Sequence, residues 1–506
     1  MVCAVGKTAN HAIVLAQLYI RDKSYGLHPF MVQIRSMENH QPMPGITVGE
    51  IGPKMGMRAA DNGFLKLEHV RIPRDHMLMK NAKITPDGEY IRPKSDKLNY
   101  GTMVFVRVLI IDMVAFNIAR AATIAIRYSA VRRQSEMVPG KGEVQILDYQ
   151  AQQYKLLPLL GFSHACKATF VTLMTHYKNA SEGLEKGDLA TLPERNHLIE
   201  RLASVLVLLQ LHAISSGLKA YCADQGSRAV ETCRRACGGH GFLLASGLPR
   251  LYATTVAACT YEGENTVLFL QTARYIIKIL RKQQAIAEDS SFQYLLQPMP
   301  NWVPLSGSAD LPTLIRLFRC AAYQHLADVW QAHIQYYIAA KYADWVENSQ
   351  VSDNLRTVLR RLCLNYLLYV VLDSSGPFLQ VGTQHCQHSP KLWELFNIPD
   401  VTNHTVPQAG LTKEELAQIQ NQEGVLLEEL RPDAVALVDA FDFHDLALNS
   451  ALGSFDGRVY ERLYNLALEA PLNKTQVALF FLPAWLRFLG DLVSYVDFLP
   501  WPLHLD

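Results

Sequence analysis

The chain has 506 residues, 49% of them hydrophobic and 19% charged, with a formal net charge of +1. That balance suits a globular enzyme of two or three domains and excludes a nucleic-acid binder or an acidic tail protein, so any phosphate site must be local. The nine cysteines (Cys3, Cys166, Cys222, Cys233, Cys237, Cys259, Cys320, Cys363 and Cys386) are odd in number and irregularly spaced, which points to free thiols in a reducing compartment.

The start, Met1-Val2-Cys3-Ala4-Val5, carries no basic segment followed by a cleavable apolar stretch, so no signal peptide is expected. Consecutive apolar runs are short. Val108-Leu109-Ile110-Ile111 meets Asp112, and the run from Val477 is interrupted by Pro483, so no membrane span is expected.

Residues 1–95 read as β structure. Phe30 to Ile34, Ile46-Thr47-Val48, Gly63 to Leu67 and His69 to Pro73 are short strands separated by Gly and Pro turns, consistent with part of an antiparallel sheet or barrel. From Asn99 the period changes. Val104, Val108, Ile111, Ala115, Ile118 and Ala122 recur at three- and four-residue steps and predict one helix to about Ser135, stopped by Pro139-Gly140. Further helices are expected over Ile146–Tyr177, from Pro193 to the Gly238-Gly239 pair with a break at Ser215-Ser216-Gly217, and over Asn265–Arg281. Lys278, Arg281 and Lys282 suit the negative end of that last helix.

The expected fold class is therefore α+β, mostly α. A partial antiparallel β-domain (1–95) precedes a four-helix bundle (96–284), a linker (285–310), a second helical domain (311–474) and an aromatic-rich tail of different texture (475–506).

The densest chemical cluster is Ala236-Cys237-Gly238-Gly239-His240-Gly241-Phe242 followed by Cys259-Thr260-Tyr261-Glu262-Gly263-Glu264-Asn265. Glycines let a backbone approach a ligand closely. A carboxylate followed by glycine at the mouth of a helix can reach into a cleft, and a partly desolvated one can take a weakly acidic carbon proton. The blander readings are a helix stop at Gly238-Gly239 and a solvated Glu262. A metal site from Cys233, Cys237 and His240 is disfavoured, since the three lie on and just past a helix end with no second ligand pair.

Long ordered stretches then carry a resemblance. Gly6 to Ala12, Pro44 to Lys54, Asp61 to Leu65, Arg71-Ile72-Pro73, Tyr100 to Arg107, Arg127 to Ser135, Gln145 to Gln150 and Asp433 to Phe443 all resemble the peroxisomal acyl-CoA oxidases, most closely the straight-chain type. The resemblance implies the acyl-CoA dehydrogenase fold and a reaction. FAD accepts a hydride from the β-carbon of a fatty acyl-CoA while a carboxylate takes the α-proton, giving a trans-2-enoyl-CoA, and O2 is then reduced to H2O2. This is the first step of peroxisomal fatty acid β-oxidation.

Carried over residue by residue, the resemblance makes Glu262 the catalytic base. Tyr261, Lys97, Asn99, Tyr100 and Arg107 fall at acyl-CoA contacts. Arg132, Gln152, Gln153, Gly238, Gly239 and Glu264 fall at FAD positions, with Arg132, Gly238 and Gly239 serving the cofactor of a partner subunit in a homodimer.

Three departures from the family pattern follow. The family's N-terminal helical domain and the first half of its β-domain have no counterpart before Gly6, which leads to the expectation that this chain alone binds FAD weakly or not at all and shows little oxidase activity. Arg195 to Gln210 interrupt a run that is continuous in the family, and sixteen helical residues add about 24 Å. The end, His504-Leu505-Asp506, lacks the Ser-Lys-Leu type address, so the chain is expected in peroxisomes by resemblance but in the cytosol if expressed alone. A dehydrogenase using another electron acceptor, and a non-catalytic helical dimerisation protein, stand as the alternative readings.

Overall fold

A long antiparallel hairpin opens the described part of the chain. In this computed structural model the described residues are 2–3, 5–80, 82–92, 101–186, 194–282, 292–297, 305, 307–324, 329–379 and 410–474. The hairpin pairs β2 (His11–Ile20) with β3 (Lys23–Gln33). Arg21 and Asp22 form its two-residue turn, both at positive φ (47° and 63°), the geometry that matches strand twist. A second sheet has the order β1-β5-β4, from β1 (Val2–Cys3), β4 (Ile46–Glu50) and β5 (Asn62–Leu67). A small pair joins β6 (Lys83–Ile84) to β7 (Tyr90–Ile91). The expected strand at His69 to Pro73 does not form. His69 turns into the left-handed region at φ 53°, which ends the extended run just past β5.

The helical part begins with α1 (Gly101–Val131), α2 (Gln150–Lys186) and α3 (Glu194–Ala236), followed by α4 (Leu248–Thr255) and α5 (Asn265–Lys282). All six residues of the apolar stripe expected on α1, from Val104 to Ala122, are buried. That helix ends at Val131 rather than Ser135, where Ser135 adopts φ 60° and residues 133–145 fold back as a small loop. A 3-10 turn over Ile146–Asp148 precedes α2, which continues past Tyr177 to Lys186.

The expected break in α3 is absent. Ser216 donates back to the His212 carbonyl at 2.6 Å, and a Cβ on Gly217 would come within 2.8 Å of Ile334 and Thr272. The small residues serve close packing of α3 against its neighbours.

The remaining helices are α6 (Leu311–Gln324), α7 (Val329–Asn348), α8 (Asp353–Asp373), α9 (Lys413–Leu430), α10 (Ala434–Asp439), α11 (Asp445–Leu448), α12 (Val459–Glu469) and α13 (Pro471–Lys474). A Thr412–Glu415 capping box starts α9. One hydrophobic cluster runs from Val104 through α2, α3 and α5 to α8, α9 and Val459, so both helical units share a core. The expected linker is tied into it: Phe292 is buried and its ring stacks on His333 at 4.4 Å.

Met103–Val131 and Gln150–Glu182 are long and apolar enough by length and composition to cross a membrane, with mean hydropathies of 1.8 and 1.3, a length of apolar helix that the short consecutive runs did not reveal. Their most apolar windows are each 72% buried against the rest of the protein, as core helices are.

Candidate active site

Glu262 lies on the short loop between a 3-10 turn over Val256–Cys259 and α5. It adopts φ 56°, and Gly263 follows at φ 115°. Two successive positive-φ residues turn the chain sharply just before α5, with the Glu262 side chain exposed. A side chain at Gly263 is excluded twice over, by its φ and by Leu268, which an added Cβ would meet at 2.6 Å. At Glu262 the left-handed conformation costs roughly 1–3 kcal/mol and must be held by its surroundings.

Two buried cations supply that support. Arg107 of α1, 5% exposed, donates from Nε to the Glu262 carbonyl at 3.1 Å and from a terminal nitrogen to Ser216 Oγ at 3.0 Å. Burial lowers the Arg107 pKa, against the opposing pull of the Glu262 carboxylate. Lys219 of α3, 0% exposed, donates from Nζ to the Gly263 carbonyl at 2.6 Å and to Asn265 Oδ1 at 3.4 Å. Burial brings its ammonium down to about 8, while Cys259, Glu264 and Glu262 draw it up.

Tyr261 points inward, its hydroxyl on Met113 Sδ at 3.4 Å and its pKa pushed up to about 12 by burial. The Glu264 carboxylate accepts from the Thr266 and Val267 amides at 2.9 and 3.3 Å. It thereby caps the first turn of α5, and those bonds hold its pKa below the ordinary value. The Glu262 side chain is itself exposed, so the desolvation expected of a carbon-acid base is not provided by the described residues.

A second cluster gathers at the far end of α3. The seventeen residue steps from Lys219 to Ala236 place it about 25 Å along the helix from the first. There Gly238 adopts φ 59°, and an added Cβ on Gly238 or Gly239 would meet nothing within 4 Å. Gln152 Nε2 donates to the Ala236 carbonyl at 2.9 Å and to Ser129 Oγ at 3.0 Å. Gln153 donates to the Leu147 carbonyl at 3.0 Å and leaves its buried Oε1 without a protein partner. Arg132 reaches the Tyr460 hydroxyl at 3.3 Å, and His240 Nδ1 meets the Tyr128 hydroxyl at 2.9 Å.

Structure thus brings together Tyr261, Glu262, Glu264 and Arg107 in one place and Arg132, Gln152, Gly238 and Gly239 in another, with Gln153 close by on α2. Lys97, Asn99 and Tyr100 lie outside the described residues. Sequence reasoning missed Lys219 and Ser216. The signal for Lys219 was present: it is the only lysine or arginine between Leu211 and Ala223. Among the described residues no trio of His, Cys, Asp or Glu is placed to hold a metal ion, and burial pushes the Cys233 thiol up to about 12. A cavity of 520 Å³ lined by Tyr221, Asp224, Gln335 and Tyr366 contains none of the expected site residues.

Residues 100–277 match the family model described as acyl-CoA oxidase, C-alpha1 domain, and residues 320–485 match that described as acyl-CoA oxidase. The chain is 40% identical to bovine peroxisomal acyl-coenzyme A oxidase 1 over 94% of its own length and 71% of the relative's. The chain belongs to the acyl-CoA oxidase family. Among solved structures, Arabidopsis thaliana acyl-CoA oxidase 1 is 35% identical with a TM-score of 0.77, covering 94% of this chain and 71% of that one. Caenorhabditis elegans acyl-CoA oxidase-2, bound with FAD, ascaroside-CoA and ATP, is 30% identical with a TM-score of 0.81, covering 99% and 72%. The acyl-CoA oxidase fold thus extends over both helical units and the β-strands that precede them.

Proposed function

We propose that the chain is an FAD-dependent acyl-CoA oxidase in which Glu262 takes the α-proton of a fatty acyl-CoA, yielding a trans-2-enoyl-CoA and H2O2. The observation that carries this reading is the Glu262–Gly263 turn, held in an unfavourable conformation by Arg107 and Lys219 from two different helices. Strain so supported marks a position where orientation of the side chain matters.

The chain's residues fit a flavin nucleotide at the second cluster. Gly238 and Gly239 leave open space for a ligand against the backbone, the Arg132 guanidinium lies exposed on Tyr460 close by, and Gln153 keeps a buried acceptor unused. FAD, when bound, supplies the hydride acceptor and the path of electrons to O2. Because this cluster and Glu262 stand far apart on one chain, the reading assigns Arg132, Gly238 and Gly239 to the cofactor of a second subunit. The exposed Phe242, Leu243, Leu244, Tyr464 and Leu466 beside them offer an apolar face for that homodimer.

Glu262 acts as the base and Tyr261 flanks the acyl group. Arg107 is assigned by its contacts to holding the Glu262 loop. The exposed Glu262 carboxylate is open to an acyl group that packs over it. Lys97, Asn99 and Tyr100 remain the proposed CoA-contact segment, and the domain limits 1–95, 96–284 and 311–474 are proposed as the working units. Peroxisomes are the proposed site of action, as the names of the relatives indicate for those proteins.

Purified chain supplied with FAD and palmitoyl-CoA tests the reading. Because the chain alone is expected to hold FAD weakly, FAD is supplied in excess, and H2O2 release with O2 uptake is the result that supports the reading. Turnover only with an artificial acceptor would turn the assignment to a dehydrogenase, and failure to retain flavin would leave the dimerisation reading.

A further inference from the structure

Lys219 is an anomaly on physical grounds. Taking an ammonium out of water costs several kcal/mol, and a well-packed apolar residue of similar volume at such a site is often as stabilising or more so. Yet Lys219 is fully buried in the middle of α3, between Leu218 and Ala220, both of which are also buried. Stability of the helix therefore does not account for it.

Its contacts do. Nζ donates to the Gly263 carbonyl at 2.6 Å, and the carbonyl one residue earlier, on Glu262, is held by Arg107 at 3.1 Å. The two successive carbonyls of the left-handed pair are thus fixed by two cations arriving from α3 and α1. Lys219 also touches Asn265 Oδ1 at 3.4 Å, which ties the loop to the first residue of α5. Without these donors, the two part-buried carbonyls lose the hydrogen-bond partners that hold them here.

We propose that Lys219 is a positioning residue for the reaction: it holds the Gly263 peptide so that the Glu262 carboxylate faces the α-carbon of the acyl thioester. This rests on the reading of Glu262 as the base. Burial and Arg107 disfavour the ammonium, and Cys259, Glu264 and Glu262 draw it back toward its charged form, so the groups of the loop itself are the ones that favour a cation here. Orientation errors at a reacting carboxylate of about 1 Å cost on the order of 100-fold in rate.

The test compares Lys219→Met, Lys219→Ala and Glu262→Gln in the FAD-loaded 506-residue chain, measuring H2O2 release from palmitoyl-CoA, KM and thermal unfolding. Lys219→Met is expected to lower kcat about 10- to 100-fold while KM stays within about twofold, the pattern of a defect confined to the transition state. Propylamine, which restores an ammonium to the space left by Lys219→Ala, is expected to raise that variant's kcat, and propanol is not. The alanine variant keeps the proposal testable should the methionine variant fold poorly.

A folded Lys219→Met enzyme with parental kcat overturns the proposal, as does a rise in KM with kcat unchanged, or equal rescue by propanol. If Glu262→Gln retains parental turnover, the base assignment itself fails. If Glu262→Gln is inactive while the Lys219 variants are not, only the positioning role falls.

Discussion

Arg107 donates from its Nε to the carbonyl oxygen of Glu262 at 3.1 Å, across 155 residues of sequence. Its nearly complete burial leaves it to act on the loop from behind. Arg107→Lys keeps the charge but loses the planar fork that serves the Glu262 carbonyl and Ser216 together. The expected outcome is a fall in kcat of about tenfold with KM for acyl-CoA nearly unchanged. A large rise in KM instead would return Arg107 to the direct acyl-CoA contact expected from the sequence. Steady-state kinetics separates the two.

Glu262→Gln preserves the size of the side chain and removes its capacity to accept a proton. A loss of at least ~100-fold in kcat is expected, with acyl-CoA affinity by calorimetry close to the parent's. Flavin reduction at the parental rate in a stopped-flow experiment would reject the assignment.

Gly239 offers a separate handle on the cofactor. An alanine Cβ there meets nothing within 4 Å of the chain, and Gly239 is not among the residues with positive φ. Gly239→Ala should therefore leave the melting temperature within the range of an ordinary surface substitution, an effect of about 0.5 kcal/mol or less. If the backbone at Gly239 lies against FAD, the flavin-to-protein ratio after gel filtration drops. Unchanged flavin content would remove Gly239 from the cofactor site.

Glu423 of α9 is buried, its Oε1 lacks a hydrogen-bond partner, and desolvation raises its pKa to about 7. A carboxyl whose folded pKa lies above its unfolded value favours the folded state in its protonated form. That contribution is complete below about 4.5 and is lost as pH rises through about 7. Unfolding free energy should fall between pH 5 and pH 8, and Glu423→Gln should flatten that part of the profile. Urea titrations across the range, for parent and variant, check it.

The helical half of the molecule was legible because its signal is local. One apolar stripe from Val104 to Ala122 on α1 is enough to place a core helix, and all six positions are buried. The hairpin of β2 and β3 was half seen: Phe30 and its neighbours read as a strand, but the partner strand did not, because Arg21-Asp22 turns the chain without the Gly or Asn that usually announces such a turn. The Ser215-Ser216-Gly217 run was misread as a helix break, since small residues that let helices approach look the same in sequence as residues that end them. At the site, Glu262 stood out through the glycine beside it and through family resemblance. Arg107 and Lys219 could not be linked to it from sequence, because they meet it only once α1, α3 and the loop have packed.

The ion pair between Arg127 of α1 and Asp439 of α10, 2.8 Å long, spans 312 residues, and Arg127 also donates to the Gly453 carbonyl at 2.9 Å. A ribosome adding about 5–20 residues per second needs roughly 15–60 s to deliver the second half of that contact after the first. For that interval the face of α1 that α10 later covers lacks its native partner on the nascent chain. Holding such a surface away from its neighbours until Ala434–Asp439 emerge is work for a chaperone. The yield of folded protein is therefore expected to depend on chaperone supply as well as on the stability of the finished molecule.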